Sequence, residues 1–150
     1  MAFVTKIAKR SFSSSSGLSA KIQEVVSIGG GLMGAGIAQV AAQTGHKVTV
    51  VDVNQELLDK SKTRISDSIK RVAKKKFKDD EAGANSFVES ALANVCCATC
   101  ANEALASADL LVEAVVENME LKQKLLSGWD KIAPAKTILA HNTTSLPISD

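Results

Sequence analysis

Two hydrophobic rhythms alternate along this chain. Short apolar runs, Val25-Val26-Ser27-Ile28, Val48-Thr49-Val50-Val51 and Leu110-Leu111-Val112, are too brief for helices and rich in β-branched residues, as buried strands are. Between them apolar positions recur at helical spacing: Leu57, Leu58, Ile65, Ile69, Val72, Ala73 and Phe77 make one stripe. The pattern predicts strands at 23–28 and 47–52, with a helix over 32–44 that Gly45 ends. Asn54 then caps a long helix reaching about Lys78. The run Asp79-Asp80-Glu81-Ala82-Gly83 breaks it, and a shorter helix covers about Ser86–Ala93. Further strands are expected at Val95–Thr99, Leu110–Ala114 and Thr137–Ala140, the last two separated by a helix over Met119–Ile132 that Pro134 ends. Strands alternating with helices predict an α/β fold with a mostly parallel, Rossmann-type sheet and right-handed crossovers. The segment between the second and third strands exceeds an ordinary crossover, so a long helical excursion is expected there.

Chemistry enters at the first turn. Gly29, Gly31 and Gly34 lie between the strand ending at Ile28 and a small-residue helix, and Asp52 closes the next strand. This GxGxxG in a βαβ unit is a dinucleotide fingerprint. Gly29 lets the chain turn, Gly31 lets backbone approach a pyrophosphate, and Gly34 lets helix and sheet pack closely. The helix that follows points unpaired N–H groups at the phosphates. Asp52 is suited to the adenosine ribose hydroxyls and would repel a 2′-phosphate, so NAD is favoured over NADP. A flavin dinucleotide uses a similar fingerprint and stays open at this point. A glycine turn that merely packs strand on helix is the bland alternative.

The first twenty residues are unlike the rest. They hold Lys6, Lys9 and Arg10, no acid, and the serines Ser11, Ser13–Ser16 and Ser19. On a helix, Phe3, Val4, Ile7 and Ala8 share a face away from the basic residues, the pattern of a mitochondrial transit peptide over 1–20, leaving 21–150 as the folded unit. Without those three residues, 15 basic side chains face 16 acidic ones, so the formal charge of +2 gives no reason to expect nucleic acid. No apolar run is long enough to span a membrane.

Two clusters are ambiguous. Lys70, Lys74 and Lys78, with Arg71, Lys75 and Lys76, are either a solvated helix face or a grip on an anionic ligand such as coenzyme A. Cys96, Cys97 and Cys100 form CCxxC, but four metal ligands are not gathered in sequence, because His46 and His141 lie far away. No metal is expected, and buried, reduced thiols are the expectation.

Four strings in order resemble one family: the glycine segment Ile28 to Ala42, Val72-Ala-Lys-Lys-Lys-Phe77, Leu111-Val-Glu-Ala-Val-Val-Glu-Asn118 and Asn142-Thr-Thr-Ser-Leu146. Together they are similar to the short-chain L-3-hydroxyacyl-CoA dehydrogenases of the mitochondrial matrix, which pass hydride from C3 of a 3-hydroxyacyl-CoA to NAD in fatty-acid β-oxidation. The resemblance implies pyrophosphate contacts along Gly29, Gly30, Gly31, Leu32, Met33 and Gly34, and ribose contact at Asp52. It implies that Glu117 and Lys122 meet the nicotinamide half, and that Ser68 and Lys75 meet coenzyme A. Thr144 stands where the family places a serine hydroxyl near both nicotinamide and substrate oxygen, with Ser145 adjacent. Position 141, serine in the family, is His141 here, expected at a strand end with local hydrogen bonds rather than as the base. The family's own base is a histidine in Leu-His-Phe-Phe-Asn-Pro, oriented by a glutamate, and neither occurs in these 150 residues. Its helical C-terminal domain, which completes the acyl site and the homodimer, is likewise expected to be absent. The alternatives are a non-catalytic NAD(H)-binding module and a different Rossmann oxidoreductase.

Overall fold

A computed structural model describes residues 21–115 and 128–142. In chain order it gives β1 (Glu24–Ile28), α1 (Leu32–Gln43), β2 (Lys47–Val51), α2 (Gln55–Lys76), α3 (Glu81–Ala93), β3 (Val95–Ala98), α4 (Asn102–Ala106), β4 (Leu110–Glu113) and β5 (Ile138–His141). The five strands form one parallel sheet in the order β3-β2-β1-β4-β5. The chain steps outward from β1 through β2 to β3, then returns to the other side of β1 for β4 and β5. That reversal opens a crevice beyond the carboxyl ends of β1 and β4, where parallel sheets bind ligands.

Strand alternation sorts side chains onto two cores. Val25, Val48 and Val50 face Ala35, Ala38 and Ala42 of α1 and Leu58, Ile65 and Ile69 of α2. On the opposite face Val26, Ile28, Val51 and Leu111 pack with Leu105, Ala108 and Trp129. The small α1 residues let that helix lie close to the sheet. Ile65 and Ile69 are fully buried, each stabilising the docking of α2 by about 1.5–3 kcal/mol.

The long excursion expected between the second and third strands is α2 followed by α3. Asn54 caps α2 as read, its Oδ1 accepting from Glu56 N–H at 2.9 Å. The helix ends at Lys76, because Phe77 leaves helical geometry. Lys78 therefore lies beyond the helix, and Lys70, Lys74 and Lys78 do not form one stripe. Phe77 instead meets Phe87 of α3, ring centroids 5.7 Å apart, with the Lys76 ammonium 5.0 Å from the Phe87 ring. The acidic run expected only to break the helix also starts the next. Asp80 Oδ1 accepts from Gly83 N–H at 2.9 Å, so α3 begins five residues before the expected Ser86.

Other differences are small except at the cysteines. Helix α4 was not expected from the pattern. Strand β5 runs one residue later than the reading, and helical conformation near Ile132 gives way to turn after Trp129. The rest of the helix expected over Met119–Ile132 lies outside the described residues, as does the 1–20 segment. Cys96, Cys97 and Cys100 are exposed, not buried, and free. The reason is topological: β3 is an edge strand, paired only with β2. Desolvation nevertheless pushes the Cys97 thiol above its ordinary pKa, with Lys62 opposing the shift.

Candidate dinucleotide site

The first βα turn is built by contacts that a side chain would prevent. Gly29 has φ +108, and a Cβ there would stand 2.6 Å from the Ala114 carbonyl oxygen on the segment leaving β4. Its N–H donates to the Val51 carbonyl at 2.7 Å, fastening the turn to the end of β2. Gly34 is tighter still: its Cβ would lie 1.8 Å from the Gly29 carbonyl oxygen. Ser27 Oγ donates to the Gly34 carbonyl at 3.2 Å and locks helix to strand.

Gly31 differs from both. Its φ is −69, an ordinary value, and a Cβ would meet nothing within 4 Å. Packing within the protein does not ask for glycine here, so the bland explanation accounts for two glycines and fails at the third. The space beside Gly31 opens onto the mouth of α1, which has no side-chain cap and no acid in its first turn. The leading N–H groups of a helix have no intrahelical partner, and here they face outward under a partial positive charge. That cradle fits a diphosphate.

Asp52 does more than the sequence indicated. Its Oδ2 accepts from Gly30 N–H at 2.8 Å, and its Oδ1 from Asn54 N–H at 3.1 Å. One carboxylate thus joins the glycine turn to the start of α2. Each oxygen keeps a lone pair for a further donor, which is what a ribose diol supplies. Beside it lies a cavity of about 240 Å³ lined by Ile28, Val51, Val53, Thr99, Ala101 and Trp129 among others. Its apolar walls suit a flat heteroaromatic ring. None of Thr99, Ala101 or Trp129 was legible as a site residue, because the sheet order alone brings their segments to this edge.

Two further residues meet at the carboxyl end of the sheet. Glu113 is fully buried at the end of β4, its Oε1 accepting from Val115 N–H at 2.8 Å. His141, its neighbour in register on β5, places Nδ1 3.4 Å from Glu113 Oε2. His141 sits at a strand end with a local partner, as expected. Glu113 was missed, since only the register of two strands far apart in sequence reveals it.

Of the residues tied to coenzyme A by resemblance, Ser68 is half-buried in a groove between α1 and α2, and Lys75 is exposed two turns further along α2. Glu117, Lys122, Thr144 and Ser145 lie outside the described residues. Among the described residues no group of histidine, cysteine and carboxylate side chains is placed to hold a metal ion, and no helix is long and apolar enough to cross a membrane.

A glycine turn at a topological switch, an uncapped helix mouth and a carboxylate ending the second strand define a Rossmann-type dinucleotide-binding domain. Residues 24–150 match the family described as 3-hydroxyacyl-CoA dehydrogenase, NAD binding domain, and the chain belongs to that family. It is 49% identical to the human mitochondrial hydroxyacyl-coenzyme A dehydrogenase over 99% of its own length, and 51% identical to the rat protein of that name over 100%. It spans about half of those relatives, 49% of each. Among solved structures, (S)-3-hydroxybutyryl-CoA dehydrogenase from Ralstonia eutropha superposes with a TM-score of 0.75 at 34% identity, covering 85% of this chain and 43% of that one. The 3-hydroxybutyryl-CoA dehydrogenase of Escherichia coli gives 0.71 at 37%, covering 85% and 26%. The cofactor of this domain is NAD.

Proposed function

We propose that this chain is the cofactor-binding portion of an NAD-dependent L-3-hydroxyacyl-CoA dehydrogenase of fatty-acid β-oxidation, working in the mitochondrial matrix. The reaction of the whole protein oxidises the C3 hydroxyl of a 3-hydroxyacyl-CoA to the 3-ketone. NAD, when bound, supplies the hydride acceptor. The described residues hold it: backbone from Gly29 to Gly34, including Leu32 and Met33, at the diphosphate, and Asp52 at the adenosine ribose. Glu117 and Lys122 position the nicotinamide half, and the Thr144 hydroxyl orients the substrate oxygen beside it. Those three assignments rest on family resemblance, as do those of Ser68 and Lys75 to coenzyme A.

Alcohol oxidation also releases a proton, and the family's base lies in a string that these 150 residues do not contain. His141 does not replace it in this reading, because the resemblance places an ordinary serine, not the base, at that position. These residues alone therefore bind NAD(H) and turn over slowly or not at all. The 1–20 segment is the import signal, in keeping with the mitochondrial names of the human and rat relatives. Dimer formation belongs to the C-terminal domain of the whole protein.

The observation that carries this reading is Gly31, where open space adjoins unpaired helix amides within reach of Asp52. Coenzyme preference tests it. Wild-type protein is expected to bind NADH about tenfold or more tighter than NADPH, and Asp52→Arg to remove most of that preference. Equal affinity of the wild type for both would overturn the role of Asp52.

A further inference from the structure

We infer that Cys97 and Cys100 form a reversible thiol–disulfide pair whose closure weakens NAD binding at the carboxyl end of the sheet. The effect on NAD rests on the reading of Asp52 and its cavity as the adenosine seat; the pairing itself does not.

The cysteines are not core residues. Cys96, Cys97 and Cys100 are all exposed and free, on β3 and the turn that follows it. Filling of the interior, the usual service of a structural thiol, therefore does not explain them. Register sorts the three. Cys97 stands opposite Val50, whose side chain belongs to the core beneath α2. It faces that helix, and the charges of Lys62 and Asp59 act on it. Cys96 stands opposite Thr49 and lines a separate cavity of about 300 Å³ with Glu24 and Ser107. Successive strand residues point to opposite faces, so Cys96 and Cys97 cannot pair without breaking the strand. Cys100 is the remaining partner, across a bend at Thr99.

Closure has a mechanical consequence. Three steps of extended chain span about 10 Å, whereas a disulfide holds its Cα atoms about 5.5–6 Å apart. The bend takes up part of the difference, and bond formation takes up the rest by drawing in Ala98 and Thr99. Edge position permits this, because β3 has a neighbour on one side only. Those same two residues adjoin the dinucleotide site. The Ala98 carbonyl accepts from Asp52 N–H at 3.2 Å. Thr99, with Ala101 just past Cys100, walls the cavity beside Asp52. Tightening the loop shifts that wall and pulls on that bond.

The chemistry balances with a small-molecule disulfide as oxidant. Burial pushes the Cys97 thiol up, so the first attack falls to Cys100 in the turn. Its thiolate displaces one thiolate from the oxidant and forms a mixed disulfide. Cys97, losing its proton to solvent, then attacks the Cys100 sulfur and expels the second thiolate. Two electrons pass from the cysteine pair to the oxidant, which leaves as two thiols.

The test equilibrates the full chain in reduced or oxidised glutathione, maps cross-links by peptide mass spectrometry and titrates NADH by calorimetry. Cys100→Ser removes the pair, Cys96→Ser is the control, and thermal melts confirm folding of each. Under oxidised glutathione, wild type and Cys96→Ser are expected to form the Cys97–Cys100 cross-link. Both should then bind NADH about fivefold or more weakly, with dithiothreitol restoring the affinity. Cys100→Ser should bind NADH equally in both buffers. By linkage, saturating NADH should protect the pair from oxidation by the same factor. A cross-link through Cys96, or glutathione adducts alone, would overturn the pairing. A Cys97–Cys100 cross-link with unchanged NADH affinity would overturn the coupling, as would an equal loss in oxidised Cys100→Ser. Reduced wild type that ignores NADH would defeat the dinucleotide reading and the coupling with it, while the mapped cross-link still decides the pairing.

Discussion

Gly31 and Gly34 are three positions apart, both glycine, and physically opposite. At Gly34 the missing side chain is required by the Gly29 carbonyl, which a Cβ would meet at 1.8 Å. At Gly31 nothing in the protein fills the space. Alanine substitution should separate them. Gly34→Ala is expected to destabilise by about 1–3 kcal/mol, because backbone cannot yield as a side chain can. Gly31→Ala should leave the melting temperature unchanged or slightly raised, since its φ suits alanine, yet weaken NADH about tenfold. Denaturant melts and NADH titrations of the two variants check this. A Gly31→Ala protein that binds NADH like the wild type would contradict the cradle. At this scale local spacing made the turn at Gly29 and the close packing at Gly34 legible, and the structure shows both; the ligand roles of Gly31 and Asp52 are the proposals that these titrations test. The sequence was silent on the bond from Gly30 N–H to Asp52 and on the Glu113–His141 pair, because both join residues that only the sheet brings together.

Elements were legible where a strong local signal coincided with burial. The strand-turn-helix-strand run of β1, α1 and β2 follows from apolar runs punctuated by glycine. The stripe of α2 is buried at Leu58, Ile65, Ile69 and Ala73, whereas Leu57, read as part of it, is exposed and Val72 and Phe77 are half-buried. One polar residue interrupts that face: Ser61 is buried, its Oγ without a hydrogen-bond partner among the described residues. Errors gather where a polar side chain served two purposes or where an element was very short. Asp80 ends one helix region and caps the next, so the acidic run looked like a break alone. Helix α4 spans five residues, too few for periodicity to register. The cysteines show a different limit. A short apolar strand looks the same in sequence whether central or at an edge, and strand order decided their exposure.

Taken whole, the molecule has a ligand-facing end and a fastening end. At the amino ends of the strands, Asp109 accepts from the Lys136 ammonium at 2.8 Å and from the Gln23 and Glu24 amides at 3.0 and 3.1 Å. It thus ties the starts of β1 and β4 to the approach to β5. These donors, Lys136 foremost, hold its carboxyl at about 2, below its ordinary 3.8. A carboxylate whose value is lowered by folding stabilises fully above the unfolded value and loses that contribution as pH falls through the folded one. Wild type should therefore melt higher than Asp109→Asn at pH 7, with the gap closing between about pH 4 and pH 2. Thermal melts across that range check it, and a gap independent of pH would contradict the assignment.

The account stands or falls on the helix mouth and the adjoining carboxylate as a seat for NAD. Calorimetric titration of folded wild-type protein with NADH measures that directly. The expected result is saturable, one-to-one binding well below millimolar concentration. A protein shown to be folded by circular dichroism, yet releasing no binding heat at several temperatures up to millimolar NADH, would contradict it.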